Sequence, residues 1–460
     1  MKMKGFIFAL IVTIISALII TTMVAYSFAT ANATTAKSSN ASVIRDLTKQ
    51  MSNPPPSWVH GGDVCSGTFI GISCDCSGRV TSINFTDMGL SGTLTPLISS
   101  LSALEILELS GNKLTGTIPS LAGMASLTHL VLNDNGFTSL PYDFFHGLTF
   151  LMIMQMDNLP LVPWFIPNAI ADCTALQIFT ASNVSITGTL PVALTNLKSL
   201  TMLWLSYNYL NGSLPAWLPE LSSLEIIGFD NQMSDVKLSG KIDVFASFKN
   251  LKELWIHSNS FSGPIPNFNN SQLVSFDARD NMLTGLVPAS LMGLESIESV
   301  RLSNNFLQGP WPVFPADVML DMASGNGFCL HVPGPCDRRV SILLEVASGF
   351  GYPLELARTW VGNNPCDGIW VGIVCKGVAV VEVNLSGQNL SGIISPAFAN
   401  LSMLERLDLS QNQLKGVIPK ALTTLTYLKV LNVSNNDLSG LLPRFKSSVE
   451  VAAKENPLSF

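Results

Sequence analysis

The sequence predicts an α/β solenoid, in which short parallel strands stack into one curved sheet and every turn of the coil shares its core with its neighbours. Three observations predict it. The chain matches itself at a period of about 24 residues. Gly or Pro recurs inside every period, which rules out a Leu-rich amphipathic helix. A Trp followed by two cysteines stands before each of two separate runs of that period. The 47% hydrophobic content is ample for such a core, whereas 12% charged residues and a net charge of −7 leave no basic face for a nucleic-acid backbone.

The N-terminus opens with Lys2 and Lys4, runs apolar from Phe6 to Ala29, and reaches a small-residue site at Ala29, Thr30 and Ala31. This reads as a secretory signal peptide over 1–31. The same run is long enough to cross a bilayer, so an uncleaved signal anchor is the alternative. Either way the remainder is exported into an oxidising compartment that glycosylates N-x-S/T sequons. Sequons begin at Asn40, Asn84, Asn183, Asn211, Asn269, Asn384, Asn389, Asn400 and Asn432, with a further one at Asn32 on the edge of the signal segment.

An N-terminal cap is expected over 32–79, carrying Trp58, Cys65 and Cys74. About ten repeats follow over 80–310, as in Leu104, Leu107, Leu109 and Asn112, or Leu200, Leu203, Leu205 and Asn208. The leucines flanking one exposed residue point inward from a short strand, and the Asn side chain satisfies backbone groups where the chain turns. One repeat cannot bury its own apolar face, and stacking several does. Such a pattern describes a plant-type leucine-rich-repeat superhelix, with short parallel strands on its concave face. An insertion around Met233 to Lys237 is expected to bulge it locally.

A non-repeat island with a second cap occupies 311–379, about three more repeats occupy 380–443, and 444–460 reads as a tail. The second cap repeats the first, with Trp360, Cys366 and Cys375. An array end exposes apolar surface and a strand edge, so a disulfide-pinned cap belongs wherever an array begins. Cys65 is therefore expected to pair with Cys74, Cys366 with Cys375, and Cys329 with Cys336 across a Pro-Gly-Pro turn. Cys76 and Cys173 lie about four repeats apart, beyond disulfide reach, and are expected to be free or unconventionally paired. The five His are scattered and support no metal site, and no cofactor is implied. Arg338 and Arg339 read as a solvated surface pair.

Residues beside the inward leucines are free to vary for recognition. Reading them off successive strands gives a candidate patch of Trp204, Trp255, His257, Asp277, Arg279 and Arg301. Trp and Arg are common binding hot spots, and the competing reading is ordinary surface packing. Glycans at Asn84, Asn384 and Asn432, near the array ends, would push a partner toward the middle repeats. The island is the other candidate, against a plain spacer role.

The G-x-IP repeat, the Trp/Cys caps and the two-array layout resemble the ectodomain of the plant transmembrane-kinase (TMK) receptor-like kinases. The segments that carry the resemblance are Gly325 to Cys336, Trp360 to Cys375, His257 to Pro266 and Leu283 to Leu294. It implies a position in the apoplast or on the outer face of the plasma membrane. It also implies cell-surface auxin-type signalling, with a secreted auxin-binding protein, a small-ligand complex or a co-receptor as partner. After Phe445 to Val451 the sequence has no second apolar span, no Gly-rich loop with its Lys, no HRD and no DFG, so no catalytic residues are assigned. A soluble binding or inhibitor protein of the polygalacturonase-inhibitor kind, which shares the G-x-IP repeat, is the alternative.

Overall fold

The computed structural model describes residues 33–59 and 62–459, so the apolar N-terminal run and the Asn32 sequon lie outside the described residues. Its main feature is a twelve-stranded sheet. The strands are β1 (Ile72–Cys74), β2 (Val80–Asn84), β3 (Ile106–Glu108), β4 (His129–Val131), β5 (Ile153–Gln155) and β6 (Ile178–Thr180). They continue as β7 (Met202–Trp204), β8 (Ile226–Gly228), β9 (Glu253–Trp255), β10 (Ser275–Asp277), β11 (Ser299–Arg301) and β12 (Met319–Asp321). A five-stranded sheet follows: β13 (Ile373–Lys376), β14 (Ala379–Asn384), β15 (Arg406–Asp408), β16 (Val430–Asn432) and β17 (Glu450–Ala452). In each sheet the first strand is antiparallel to the second and all later neighbours are parallel, as sequential turns of one coil require.

The repeat leucines do what their spacing predicts. Leu104, Leu107 and Leu109 are fully buried, as are Leu200, Leu203 and Leu205. The turn Asn works as a bracket between coils. The Asn112 amide donates to the carbonyls of Phe85, Leu109 and Ser110, and its Oδ1 accepts from Leu90 N at 2.8 Å. Each coil is thereby sewn to the one before it through a side chain that is itself buried, which satisfies backbone groups that the core would otherwise strand.

The two caps are built alike. Helix α1 (Ala33–Gln50) precedes the first array; α2 (Arg338–Gly349) and α3 (Leu354–Thr359) precede the second. Trp58 and Trp360 are buried, and their indole N–H groups donate to Ile70 O and Val371 O. Disulfides join Cys65 to Cys74 and Cys366 to Cys375, and a third joins Cys329 to Cys336. Gly71 and Gly372 sit at φ 78° and 73°, and a Cβ at either would run into the carbonyl oxygen of Asn84 or Asn384. Cys76 is free and exposed; Cys173 is free and buried, and burial pushes its thiol up to about 12.

Several boundaries move. The first sheet does not stop at 310, because β12 extends it, and Phe328 belongs to the first core. Asn326 takes the bracket position there, accepting from Leu307 N and donating to Leu302 O. The second array likewise runs past 443, with β17 in the sheet and Asn456 as its bracket. The insertion at 233–237 leaves the concave sheet undisturbed: Ile226 still pairs with Glu253, and the extra residues emerge as an exposed loop. Arg339 is no solvated partner of Arg338. It donates to both Asp337 oxygens and to Val378 O, tying α2 to the second cap.

Candidate functional site

Parallel pairing in register places equivalent residues of successive coils side by side. One such row runs Thr180, Trp204, Gly228, Trp255, Asp277, Arg301, Asp321 across β6 to β12. Alternation turns these side chains outward, because the central residue of each strand from β6 to β11 is core. Residues two positions further along form a second outward row with Asp157, Ser206, Asp230, His257 and Arg279. The six residues of the candidate patch are therefore brought together on one face.

Trp204 and Trp255 lie with ring centroids 6.0 Å apart although a strand separates them. Gly228 makes this contact possible. A Cβ there would stand 2.6 Å from Cδ2 of the Trp204 indole, so the ring lies flat on the Gly228 backbone and reaches its neighbour. Trp255 is the more deeply seated of the two, and its N–H donates to Glu253 Oε2 at 3.2 Å. Below them Ile153, Ile178, Met202 and Ile226 form a separate apolar stripe across β5 to β8, packed against Trp204.

The polar half of the patch is organised around Asp277, which is only 1% exposed. Its carboxylate accepts from Arg279 Nε and Nη2 at 3.0 and 2.8 Å. Arg301 Nη1 approaches the same carboxylate to 3.7 Å and His257 Nδ1 also to 3.7 Å. Arg279 reaches on to Asp321 at 3.3 Å. The carboxylate hydrogen bonds hold the Arg279 guanidinium in its charged form, above its ordinary pKa. On its other side His257 faces Asp230 at 3.6 Å, and Asp230 accepts from Ser206 Oγ at 2.5 Å and from Asn231 Nδ2 at 2.8 Å. Asp277 is thus a buried organiser of the two arginines, where the sequence suggested a surface group. Burial raises the carboxyls of Asp157 and Glu253, opposed in part by hydrogen bonds from Ser182 and Thr180 and from Trp255 respectively.

Asp157, Asp230, Glu253, Gly228 and Asp321 were missed in reading the sequence. The signal that finds them is the constant offset from each coil's central strand residue, carried through every repeat rather than applied only to Trp, His and Arg. Of the sequons, Asn84, Asn183, Asn269, Asn384, Asn389 and Asn400 are exposed, and Asn211 and Asn432 partly so. Asn40 is different: it is 7% exposed and its amide donates to Gly78 O at 2.9 Å, so the folded cap leaves no room for a glycan there.

The fold and its varied concave face define a leucine-rich-repeat protein of the plant type. Models for leucine-rich repeats match residues 103–123, 199–221, 250–270 and 379–438, and the leucine-rich-repeat N-terminal domain matches both caps, at 42–75 and 336–376. The chain is 54% identical over 370 residues to the receptor protein kinase WSS1 of Oryza sativa subsp. japonica, covering 80% of this chain and 40% of that protein. It is 43% identical over 367 residues to the receptor-like kinase TMK2 of Arabidopsis thaliana, covering 78% and 41%. It belongs to the TMK type of leucine-rich-repeat receptor-like kinases, and it spans about two fifths of the length of these relatives, their leucine-rich-repeat ectodomain. Among solved structures it is similar in fold to the ectodomain of the Arabidopsis thaliana receptor kinase GASSHO1/SCHENGEN3, at 24% identity and TM-score 0.50 over 92% of this chain and 47% of that one. The HAESA ectodomain from Arabidopsis is similar at 22% identity and TM-score 0.51, over 92% and 74%.

Proposed function

We propose that this chain is the ligand-recognising ectodomain of a receptor-like kinase at the plant cell surface, and that it binds a secreted protein in auxin-type signalling through the concave face of β7 to β12. The observation that supports the reading is the convergence of Trp204, Trp255, His257, Asp277, Arg279 and Arg301, from four strands, on one prearranged surface. A rigid coil that holds aromatic and guanidinium groups before the partner arrives reduces the entropy lost on association. Asn84 and Asn384 are exposed at the concave starts of both arrays, and glycans on their sequons would favour the middle of the first.

Biolayer interferometry of the secreted, glycosylated chain against secreted auxin-binding proteins, with and without auxin, tests this. Auxin-dependent association that Arg279→Ala weakens supports it. A folded chain that ignores those proteins yet captures a cell-wall polygalacturonase would replace it with the inhibitor reading.

A further inference from the structure

We propose that the outer face of the Trp204 indole is the seat of a cationic side chain, an arginine or lysine carried on an extended segment of the secreted partner, within the field of Asp157, Asp230 and Glu253. This inference rests on the receptor reading above and names the chemistry of the partner at that same face.

Geometry opens the seat. One face of the Trp204 ring rests on the Gly228 backbone, Trp255 stands against it at a tilt of 44° and the apolar stripe packs beside it, yet the side chain stays partly exposed, which leaves the opposite ring face toward the concave space. Glycine inside a strand weakens it and characteristically marks a close approach. Here what approaches is an indole, laid flat in the orientation that offers its negative π face outward.

Charge then selects the occupant. On β5 to β9 and the two residues after each, the outward ionisable side chains are Asp157, Asp230, Glu253 and His257. The carboxylates are served by neutral donors: Asp157 by Thr180 Oγ1 at 2.7 Å and Ser182 N at 2.6 Å, Asp230 by Ser206 and Asn231, Glu253 by the Trp255 indole. His257 stands between Asp230 and Asp277 and is the one side chain there that adds positive charge when protonated. Strand spacing of about 4.8 Å puts the three carboxylates roughly 8–12 Å from the Trp204 ring. That is about one to one and a half Debye lengths at physiological salt, so their combined attraction at the ring face is partly screened there and grows as the salt is lowered. The neighbouring stretch over β10 to β12 is the opposite case, since Asp277, Arg279, Arg301 and Asp321 neutralise one another. A positively charged segment is therefore drawn to β5–β9, and the net charge of −7 assists its approach.

The test uses the full secreted chain and a short synthetic peptide alternating glycine with arginine, compared with the same peptide bearing neutral citrulline in place of arginine. Saturable binding of the arginine peptide, weakening with salt and changing tryptophan fluorescence, is expected, with the citrulline peptide silent. Trp204→Ala should lower affinity about tenfold. Gly228→Ala, which keeps the indole but lifts it from its bed, should weaken binding as well, whereas Asp437→Asn in the second array should not. Equal binding by the citrulline peptide, or arginine-peptide binding untouched by both Trp204→Ala and Gly228→Ala, overturns the inference. A secreted partner that needs Arg279 but is indifferent to Trp204→Ala and to arginine-peptide competition overturns it while leaving the receptor reading intact.

Discussion

Asp277→Asn is the sharpest perturbation of this face, because one buried carboxylate serves three basic groups. In the parent chain it accepts two hydrogen bonds from the Arg279 guanidinium and one from the Arg279 backbone N–H, and lies 3.7 Å from both Arg301 and His257. Asparagine preserves the shape and removes the charge. Truncating a buried pair costs about 3–5 kcal/mol when the abandoned charge stays buried. Arg279 and Arg301 retain side-chain exposures of 29% and 21% and can turn toward water, so about 2–3 kcal/mol is the expected loss. Asp321→Asn provides the contrast: its side chain is 45% exposed and it meets Arg279 through one contact at 3.3 Å, which predicts a loss of about 0–1 kcal/mol. Urea unfolding followed by tryptophan emission reads both, since Trp255 lies in the coil next to Asp277 and touches Trp204. Equal midpoint shifts for the two variants would refute Asp277 as the organiser of the patch.

Three further outcomes follow from the same geometry. Gly228→Ala should cost about 1–3 kcal/mol by overpacking against the Trp204 ring and should change the near-ultraviolet circular dichroism of the Trp204–Trp255 pair; an unaltered spectrum would contradict the flat-lying indole. Glycopeptide mapping should find Asn40 bare while Asn183, Asn269 and Asn400 are occupied, and Asn40→Ala should lose about 1 kcal/mol with its bond to Gly78 O. Burial raises the folded-state pKa of Glu253, so its ionisation costs stability above that pKa, and the cost fades as pH falls through the interval down to the unfolded value. Glu253→Gln should therefore melt higher than the parent near neutrality and converge with it below the ordinary glutamate pKa of about 4.3, as thermal melts at the two pH values would show.

The solenoid was legible because a repeat protein writes its core one coil at a time: Leu107, Leu203 and Leu407 stand at matching places in the sequence and in the sheet. Legibility failed where a coil ends an array. Strand β12 is the last of its sheet, with no later strand to cover it, and its central Leu320 is 44% exposed. The surviving mark is Asn326, which bonds Met322 O four residues back, where Asn305 bonds Leu302 O three residues back, an offset that hides it from a fixed template. In the patch, the residue types that announce recognition were found and the ones that arrange them were not. Gly228 has no side chain to attract notice, and Asp230 acquires its meaning only when the fold sets Ser206 and His257 on either side of it.

The second cap has two tasks, and this explains why the island is conformationally committed rather than a spacer. It begins the second array through Trp360, the Cys366–Cys375 disulfide and the antiparallel strand β13. It also lies across the side of the first. The Tyr352 ring occupies the space above Gly285, where a Cβ would come within 2.7 Å, and Thr284 Oγ1 donates to Tyr352 O at 2.7 Å. Gln308, 2% exposed, donates to Trp360 O at 2.7 Å, and Arg358 stacks over the Phe306 ring at 5.6 Å. A solenoid end otherwise leaves apolar surface and strand edges to water, and here the cap of one array covers the flank of the other. The two sheets are thereby fixed to one another by buried polar and aromatic contacts, so a partner seated on β7 to β12 meets the neighbouring array at a set distance and angle. A flexible linker would have left that relation to chance.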